Sequence, residues 1–555
     1  MRTWIFLPLA ALLPASVSDG AAPLPLSVLL AGVSICGDDA PAPAKAADLL
    51  PGYGGGGFTI ATANPEAQAY FSNGMQLSQA FAHKAATAAF ARAVELDPSC
   101  AMCLWGAAWS DGPTINYGID KAKATEAAGK VAAAERLLTS SSPAKERDLI
   151  GALKLRYRND TLDNSGFAKA MDALAVRYPD DDAIATIAAD AWMIPAADSG
   201  SMKTLPRAVA LLEGALNRSP DYTPAIHFYI HATEMSGFPA RAERFADSLQ
   251  GLAPKASHLV HMPSHTYYWV GRYQDAADAN VRAVGINVEN AKRQGLPQPG
   301  GEWQLTYHAH NVQFGVGGAL MSGDSADALA LSGPMLQAAP RHPQAARPFV
   351  QMAMGTAYAA QGRFADPADV LALPDPGEKL KFARAYWHYA RGEAQARLGN
   401  VDGIRAEMAA IPDRVGTPKK SDFTAHATQL MRIARLVLEG RAAMIEGKPM
   451  LAARAFERAA KLDESNLMRD FNDPPAWWYP PRRSYAAALL LAGRPGDSLK
   501  QTSLVLARRL NDPLTLSVQA EAKAALGLSE AAAKDRALAE RGWRGDKAGL
   551  SAKLA

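Results

Sequence analysis

The chain has 555 residues, with 58 Lys and Arg against 55 Asp and Glu and a formal charge of +3. Opposite charges are interleaved along it, which leaves no basic stripe to follow a phosphate backbone and argues against nucleic acid as a partner. Apolar residues make up 48% and aromatic residues only 8%, an Ala-rich balance with scarce alternation of Val, Ile and Thr that predicts closely packed helices rather than sheets.

At the start, Arg2 precedes an apolar run from Trp4 to Leu13 that ends in Ser16-Val17-Ser18, whose small residues at alternate positions suit signal peptidase. Residues 1–18 are therefore expected to be a cleaved export signal, and the mature chain to reside in the periplasm or cell envelope. A second apolar run, Leu24 to Ile35, stops at Cys36. That arrangement raises a lipid anchor on Cys36, which the bulk of Ile35 disfavours. Neither run has the roughly 18 to 20 apolar residues that a membrane-spanning helix needs, so no transmembrane domain is expected in the mature chain. Residues 19–64, above all the Pro-, Ala- and Gly-rich stretch from Gly37 to Gly57, read as a flexible leader without packed structure. Beyond Cys36 the cysteines are Cys100 and Cys103. Leu104 stands where haem attachment requires His, and no βαβ setting supports a redox motif. A local disulfide is the first expectation in an exported chain, and a pair of metal-binding thiolates the second.

From Ala67 onward the chain falls into a helix-turn-helix register of about 34 residues. Tyr70, Gly74, Ala86, Phe90, Ala93 and Pro98 occupy positions 4, 8, 20, 24, 27 and 32 of the tetratricopeptide (TPR) pattern. Small residues let the paired helices approach, the aromatic fills the gap between them, and the proline closes the second helix. The same grammar returns at Ala208, Ala215 and Pro220, at Gly271, Ala276 and Ala283, at Gly323, Ala328 and Pro340, and late in the chain at Gly440, Gly447, Ala452, Phe456 and Ala459. Between Arg341 and Arg432 the register slips, and loops are expected near Pro374 and from Pro474 to Pro481. The fold predicted is all-α, a TPR-like α-α superhelix or solenoid. Residues 65–340 form the well-matched repeats and 341–555 the degenerate and C-terminal ones, with the ends the least stable parts.

Histidines recur at the repeat spacing. His227 and His231 are followed 34 residues later by His261 and His265. In units beginning at Thr223, Ser257 and Ala309, the residues His227, His231, Glu234, His258, His261, His265 and His310 all fall on positions 2, 5, 9 or 12 of the first helix, the face that lines a TPR groove. A pair at i and i+4 brings two rings within roughly 6 Å on one helical turn and acts as a metal clamp. Seven of the eleven histidines lie between His227 and His310. A transition metal (copper, zinc, iron or nickel) is the ligand these donors suit. One arrangement is a single ion. Another is a dinuclear centre with His258, His261 and His265 on one side and His227, His231 and His310 on the other. Two imidazole triplets would suit paired coppers handling dioxygen, whereas Glu234 as a ligand would favour iron or zinc. Glu234, one turn beyond His231, is also placed to act as an orienting acceptor or as a general base. Pro263 interrupts the helix that carries His258 and His265. The competing reading of the same face is a groove that captures a peptide without metal, since groove positions of this fold are commonly polar.

Met235 and Met262 flank the cluster and read as core filler ahead of soft ligands. Tyr229, Tyr267, Tyr268 and Tyr307 read as packing residues with a wet hydroxyl. Arg482 and Arg483 read as a solvated face ahead of an anion site in the groove.

The segments Cys100-Ala-Met-Cys-Leu-Trp-Gly106, Gly112-Pro-Thr-Ile-Asn116, His227-Phe-Tyr-Ile-His-Ala-Thr-Glu234, His258-Leu-Val-His-Met-Pro-Ser-His265, His310-Asn311 and Asp473-Pro-Pro-Ala-Trp-Trp-Tyr-Pro480 together resemble a family of exported bacterial TPR proteins. The resemblance implies the superhelical fold, export and the position of the site, and it supplies no reaction. The chain is thus read as an exported TPR solenoid whose concave groove holds a His-rich transition-metal site. On that reading it is a metal-dependent oxidase or hydrolase acting on a small molecule or peptide. A peptide- or protein-binding scaffold of the cell envelope is the alternative.

Overall fold

The computed structural model describes residues 48–158, 162–199, 202–414, 423–469 and 475–550. The expected export signal, Cys36 and most of the expected leader lie outside them. Among the described residues there is no β-strand, and consecutive helices pack against one another along the chain as a succession of hairpins building an α-α superhelix.

The first hairpin, Pro65–Gln79 and His83–Leu96, shows why the repeat pattern works. Asn64 caps the first helix, its side-chain oxygen accepting from the N–H groups of Glu66 (2.9 Å) and Ala67 (3.3 Å). Phe90 is fully buried between Gly74 and Gly106, and a Cβ at either glycine would come within 2.8 and 2.3 Å of its ring. Burying such a ring stabilises the hairpin by about 2 kcal/mol, and only glycine lets both neighbouring helices close on it. The late unit repeats the device, with a Cβ at Gly440 falling 2.4 Å from the buried Phe456 ring. Where the register slips, the helices are long: Pro348–Phe364, Lys381–Arg397 and Thr424–Ile445 run for 17, 17 and 22 residues. Pro374 lies in a loop, as does the run from Pro475 to Pro480.

Two features depart from the expected open solenoid. Residues 50–57, the end of the stretch read as an unpacked leader, form a strap across the inner units. Leu50 and Asn73 exchange two hydrogen bonds of 2.9 Å. The Gly55 N–H donates to Thr223 Oγ1 at 2.6 Å, and Lys255 N–H to the Gly52 carbonyl at 3.0 Å. Glycine is required rather than tolerated here: Gly54 has φ +85°, and a Cβ on it would meet Thr223 Oγ1 at 2.4 Å. What reads in one dimension as a flexible composition is in three dimensions a backbone pressed against a helix start.

The C-terminal units likewise turn back onto the middle of the chain. Tyr268 and Tyr273 donate their hydroxyls to the carbonyls of Trp478 (3.1 Å) and Leu510 (3.0 Å). Arg544 N–H donates to the Ser322 carbonyl (2.8 Å), and the Trp543 ring covers Gly323. The described C-terminal residues are therefore docked on the middle of the chain. Most of the buried apolar residues form one large cluster from Tyr53 to Tyr307 and a second from Tyr268 to Leu489. The Pro263–Val270 helix joins them, giving Tyr267 to the first and Tyr268 to the second.

Gly271 sits at this seam with φ +81°, and a Cβ there would lie 2.1 Å from the Leu510 carbonyl oxygen. Gly271→Ala is expected to destabilise the protein by about 1–3 kcal/mol, because backbone strain and a clash with the main chain coincide. Gly285→Ala, at an open position in the Tyr273–Arg293 helix, should be neutral or stabilise by up to about 1 kcal/mol. Urea unfolding of the two variants measures the difference, and equal midpoints would contradict the seam.

Candidate metal centre

Four helices bring the histidines together. Thr223–Met235 carries His227 and His231, Ser257–His261 carries His258 and His261, Pro263–Val270 carries His265, and His308–Ser322 carries His310. Pro263 does break the segment. His258 and His261 belong to a five-residue helix, and a new helix begins at the proline, whose missing N–H leaves the Leu259 carbonyl without its usual donor.

This break sets the grouping. His227, His231 and His258 place one ligand atom each within 4.8 Å of one another, and so do His261, His265 and His310. Two triads are therefore present, but with a different membership from that expected. His258 crosses to the neighbouring unit, its Nε2 3.1 Å from His227 Nε2, while the His310 ring stands 4.8 Å from His261. His258 and His261, three residues apart, lie on nearly the same face of one short helix and enter adjoining triads with ring centroids 5.7 Å apart, while the helix restarted at Pro263 aims His265 at His261. The triads adjoin, with ring centroids of His231 and His265 5.4 Å apart and those of His258 and His261 5.7 Å apart. A third grouping, His231, Glu234 and His265, shares members with both.

Three of the outer ring nitrogens are tied down, whereas His258 Nδ1 and His231 Nε2 are buried without a hydrogen-bond partner. His227 Nδ1 faces the Gln79 carbonyl at 2.7 Å, His261 Nδ1 faces Asn280 Oδ1 at 2.6 Å, and His265 Nδ1 faces Glu234 Oε2 at 2.8 Å. The Asn280 amide is oriented by its own donation to the Ala276 carbonyl at 2.7 Å, so its oxygen is the atom presented to His261. All three partners are acceptors, and each Nδ1 must carry the proton. In the neutral ring the lone pair is then on Nε2. His261 Nε2 and His265 Nε2 nevertheless lie 2.9 Å apart. Two lone pairs at that separation repel unless a proton or cation stands between them.

Burial works against the proton. It lowers the pKa of His227 and of His310 to about 3, and that of His231, His258 and His261 well below the usual imidazole value, with neighbouring rings adding to the effect. His227 and His261 are fully buried and His265 is 1% exposed, whereas His310 is only half-buried. Glu234 lies behind His265, away from the facing nitrogens, and its second oxygen accepts from Trp269 Nε1 at 2.8 Å. In this position it orients a ring.

Aromatic residues close the cavity. Phe81 packs on His227 and His258 with centroid distances of 4.6 and 5.0 Å, Tyr307 on His258 at 4.4 Å, and Phe314 on His265 at 4.5 Å. Phe81 and Tyr307 both hold left-handed backbone, at φ 56° and 66°, a conformation that costs about 1–2 kcal/mol for such residues. Asn116, from the Gly112–Asn116 segment, donates to the Tyr307 hydroxyl at 2.8 Å.

The sequence pattern passes over several contributors. His83 stacks on Phe81 at 5.4 Å, and both of its ring nitrogens are buried without a hydrogen-bond partner, so that burial lowers its pKa to about 4. It lies at a hairpin turn, outside the 34-residue recurrence. The Gln79 carbonyl and Asn280 come from helices whose register carries no ligand signal. Of the other residues considered, Met262 is fully buried in the core and Met235 packs against it. Tyr229 and Tyr267 donate to Glu213 and Asp247, both at 2.8 Å. Arg482 pairs with Glu464. Arg483 is not a solvated residue: it is 1% exposed and paired with buried Asp512 at 3.1 Å. Cys100 and Cys103 form a disulfide at the start of the Ala101–Ser110 helix, so they are not a pair of metal-binding thiolates.

No family model matches the chain, and no curated protein matches it. Solved structures that it is similar to include the P58(IPK) TPR domain (15% identity over 66% of this chain and 96% of that one, TM-score 0.20). The human IFIT1 dimer with m7Gppp-AAAA matches at 13% identity over 80% and 90% (TM-score 0.31), and yeast Tom70 at 10% over 86% and 92% (TM-score 0.26). These are helical-repeat proteins, and at such scores none of them bears on what the cavity holds.

The buried imidazoles fix a pH dependence for the metal-free protein. Their folded pKa values lie below the unfolded value of about 6.5, so the unfolded chain binds more protons between those limits. Stability is then fully present above pH 6.5 and is lost as the pH falls toward 3, by about 1 kcal/mol per pH unit for each such ring. Urea midpoints measured after chelation should drop steeply from pH 7 to pH 5, and a flat profile would mean that the rings are solvated.

Proposed function

We propose that the two triads hold a pair of transition-metal ions and that the protein is a metal-dependent enzyme of the cell envelope, an oxidase that uses dioxygen on a small organic molecule. The observation that carries this reading is the contact of His261 Nε2 with His265 Nε2 at 2.9 Å, made while both outer nitrogens face acceptors. A cation bound by both lone pairs turns that repulsion into attraction, and the low proton affinity of these rings favours a metal over a proton in the role. Six imidazoles in two triads are a donor set that suits copper. Glu234 is engaged by His265 and Trp269, which weighs against a carboxylate-containing iron or zinc site and against a hydrolase that needs a free base there.

Four of the six rings then have a definite task. His227, His261 and His265 are held in the ligating tautomer by Gln79, Asn280 and Glu234, partners of the kind that commonly orient metal-bound histidines. Phe81, Tyr307 and Phe314 exclude water, and half-buried His310 marks the side from which a substrate approaches. The closed inner wall favours a small molecule over a polypeptide, since an extended peptide requires an open face. The Cys100–Cys103 disulfide supports export to an oxidising compartment.

Protein purified from its own compartment is expected to carry about two metal ions per chain, copper foremost, by elemental analysis. His261→Ala and His265→Ala should each lose metal from the second triad while retaining the helical circular dichroism signal. Wild-type protein that stays metal-free after incubation with copper, zinc and iron would overturn the reading.

A separate measurement addresses the orienting residues. Asn280→Ala removes no ligand, yet it should weaken metal binding by about 10- to 100-fold through loss of tautomer control, as read by competition with a chromophoric chelator. An unchanged affinity would show that the Asn280 contact is structural only.

A further inference from the structure

Away from the imidazoles, a cavity of about 500 Å³ lies where the docked C-terminal end meets the middle of the superhelix. Its wall is assembled from five separate parts of the chain: the turn at Gly323, the Pro348–Phe364 and Lys381–Arg397 helices, the end of the Thr424–Ile445 helix, and the segment from Trp543 to Gly549. The volume falls within the range of roughly 300–1,000 Å³ that holds small organic ligands.

Its charges do not balance internally. Arg441 faces Glu393 at 3.4 Å, and Glu393 also accepts the Tyr389 hydroxyl at 2.9 Å. Arg397 donates to the carbonyls of Ala365 (2.5 Å) and Gly362 (3.4 Å). Asp546 accepts from the Ala548 N–H at 3.1 Å. Arg363 remains. Its guanidinium lines the cavity with no hydrogen-bond acceptor or ion-pair partner among the described residues; the Phe364 ring lies 5.7 Å away, and Glu393, engaged by Arg441, acts on it only from beyond ion-pair distance. Burial, with Arg483 and Arg441 nearby, pushes its pKa down to about 10, so it stays charged at neutral pH. A guanidinium has five donors and no means of shedding its charge under these conditions. Leaving it partly desolvated and unpaired is costly, and an arriving anion relieves that cost. The rest of the wall is apolar: Phe364, Ala396, Met444, Ile445 and Trp543.

We propose that this cavity binds an organic monoanion, a carboxylate with an apolar body, whose head group pairs with Arg363 and whose body lies along Trp543 and Met444. One uncompensated guanidinium suits one negative charge. A free inorganic phosphate, with a higher charge and no apolar part, would meet a single available fork and an apolar wall. The site is independent of the metal centre and stands or falls separately from it.

The test uses the full-length protein and isothermal calorimetry, with decanoate as the probe and decylamine and inorganic phosphate as controls. Decanoate should bind, and Arg363→Met, which keeps the length and apolar volume of the side chain, should weaken it by about 10- to 100-fold. Decylamine and phosphate should show no saturable binding. Trp543→Leu serves as a second variant and should weaken decanoate while the metal content stays unchanged. Decanoate binding equal in wild type and Arg363→Met would overturn the proposal, as would failure of decanoate to bind a wild-type protein whose circular dichroism is that of the folded chain. Preferential binding of phosphate would assign the guanidinium to an inorganic anion instead and would equally overturn it.

Discussion

The outer nitrogens of three imidazoles are held by acceptors that come from other parts of the superhelix, and the arrangement of the whole cavity depends on this. The Gln79 carbonyl reaches His227 from the first hairpin, across 148 positions of sequence. Asn280 reaches His261 from the Tyr273–Arg293 helix, and Glu234 reaches His265 from the Thr223–Met235 helix. Each contact removes one of the two orientations that a free imidazole would sample, and each one turns a lone pair toward the same interior. A stack of hairpins with histidines at the same positions but without these acceptors would present rings in mixed tautomers, and a polar groove would be the result.

Closure of the solenoid makes those contacts possible. An open TPR array exposes its inner face along its length, because each unit touches only its neighbours. Here the first hairpin touches the Thr223–Met235 helix, the strap at 50–57 ties Thr223 and Lys255, and the C-terminal units cover the outer side of the Pro263–Val270 helix. The inner wall thereby becomes a core. Burial then has two linked consequences for the histidines. It removes water that would compete for their lone pairs, and it lowers their affinity for protons, so that a softer cation meets little competition. The left-handed backbone of Phe81 and Tyr307 fits the same account: two aromatic residues are kept in an unfavourable conformation where they complete the wall around His258.

The repeat pattern and the donor positions are legible in the chain because both obey a period. Phe90 against Gly74, or Phe456 against Gly440, can be read from offsets alone, and so can the placement of His227, His231, His261 and His265 on one face. The partition into triads is not legible, because it turns on the break at Pro263. A proline announces that a helix is interrupted, but not by what angle the next one departs. His83, Asn280 and the Gln79 carbonyl are invisible for a different reason. They come close through closure of the superhelix or through the second helix of a hairpin, and neither has a fixed offset from the ligands. The strap misleads in the opposite sense. Its glycines read as freedom, yet at Gly54 the lack of a side chain is what lets the backbone lie against Thr223.

The position of His310 follows from the same geometry and bears on chemistry. Five members of the two triads come from two successive units, and the sixth comes from the unit after them, at the start of the His308–Ser322 helix. That helix begins directly after Tyr307, whose hydroxyl is held by Asn116 from the loop of an early unit. The least buried ligand is thus attached to a wall residue gripped by a distant loop. The Gly112–Asn116 segment is thereby linked to Tyr307 and, next along the chain, to His310, while His227, His261 and His265 are held by acceptors of their own. If the triads hold ions as proposed, His310 is the ligand nearest solvent, and the other five lie buried behind it.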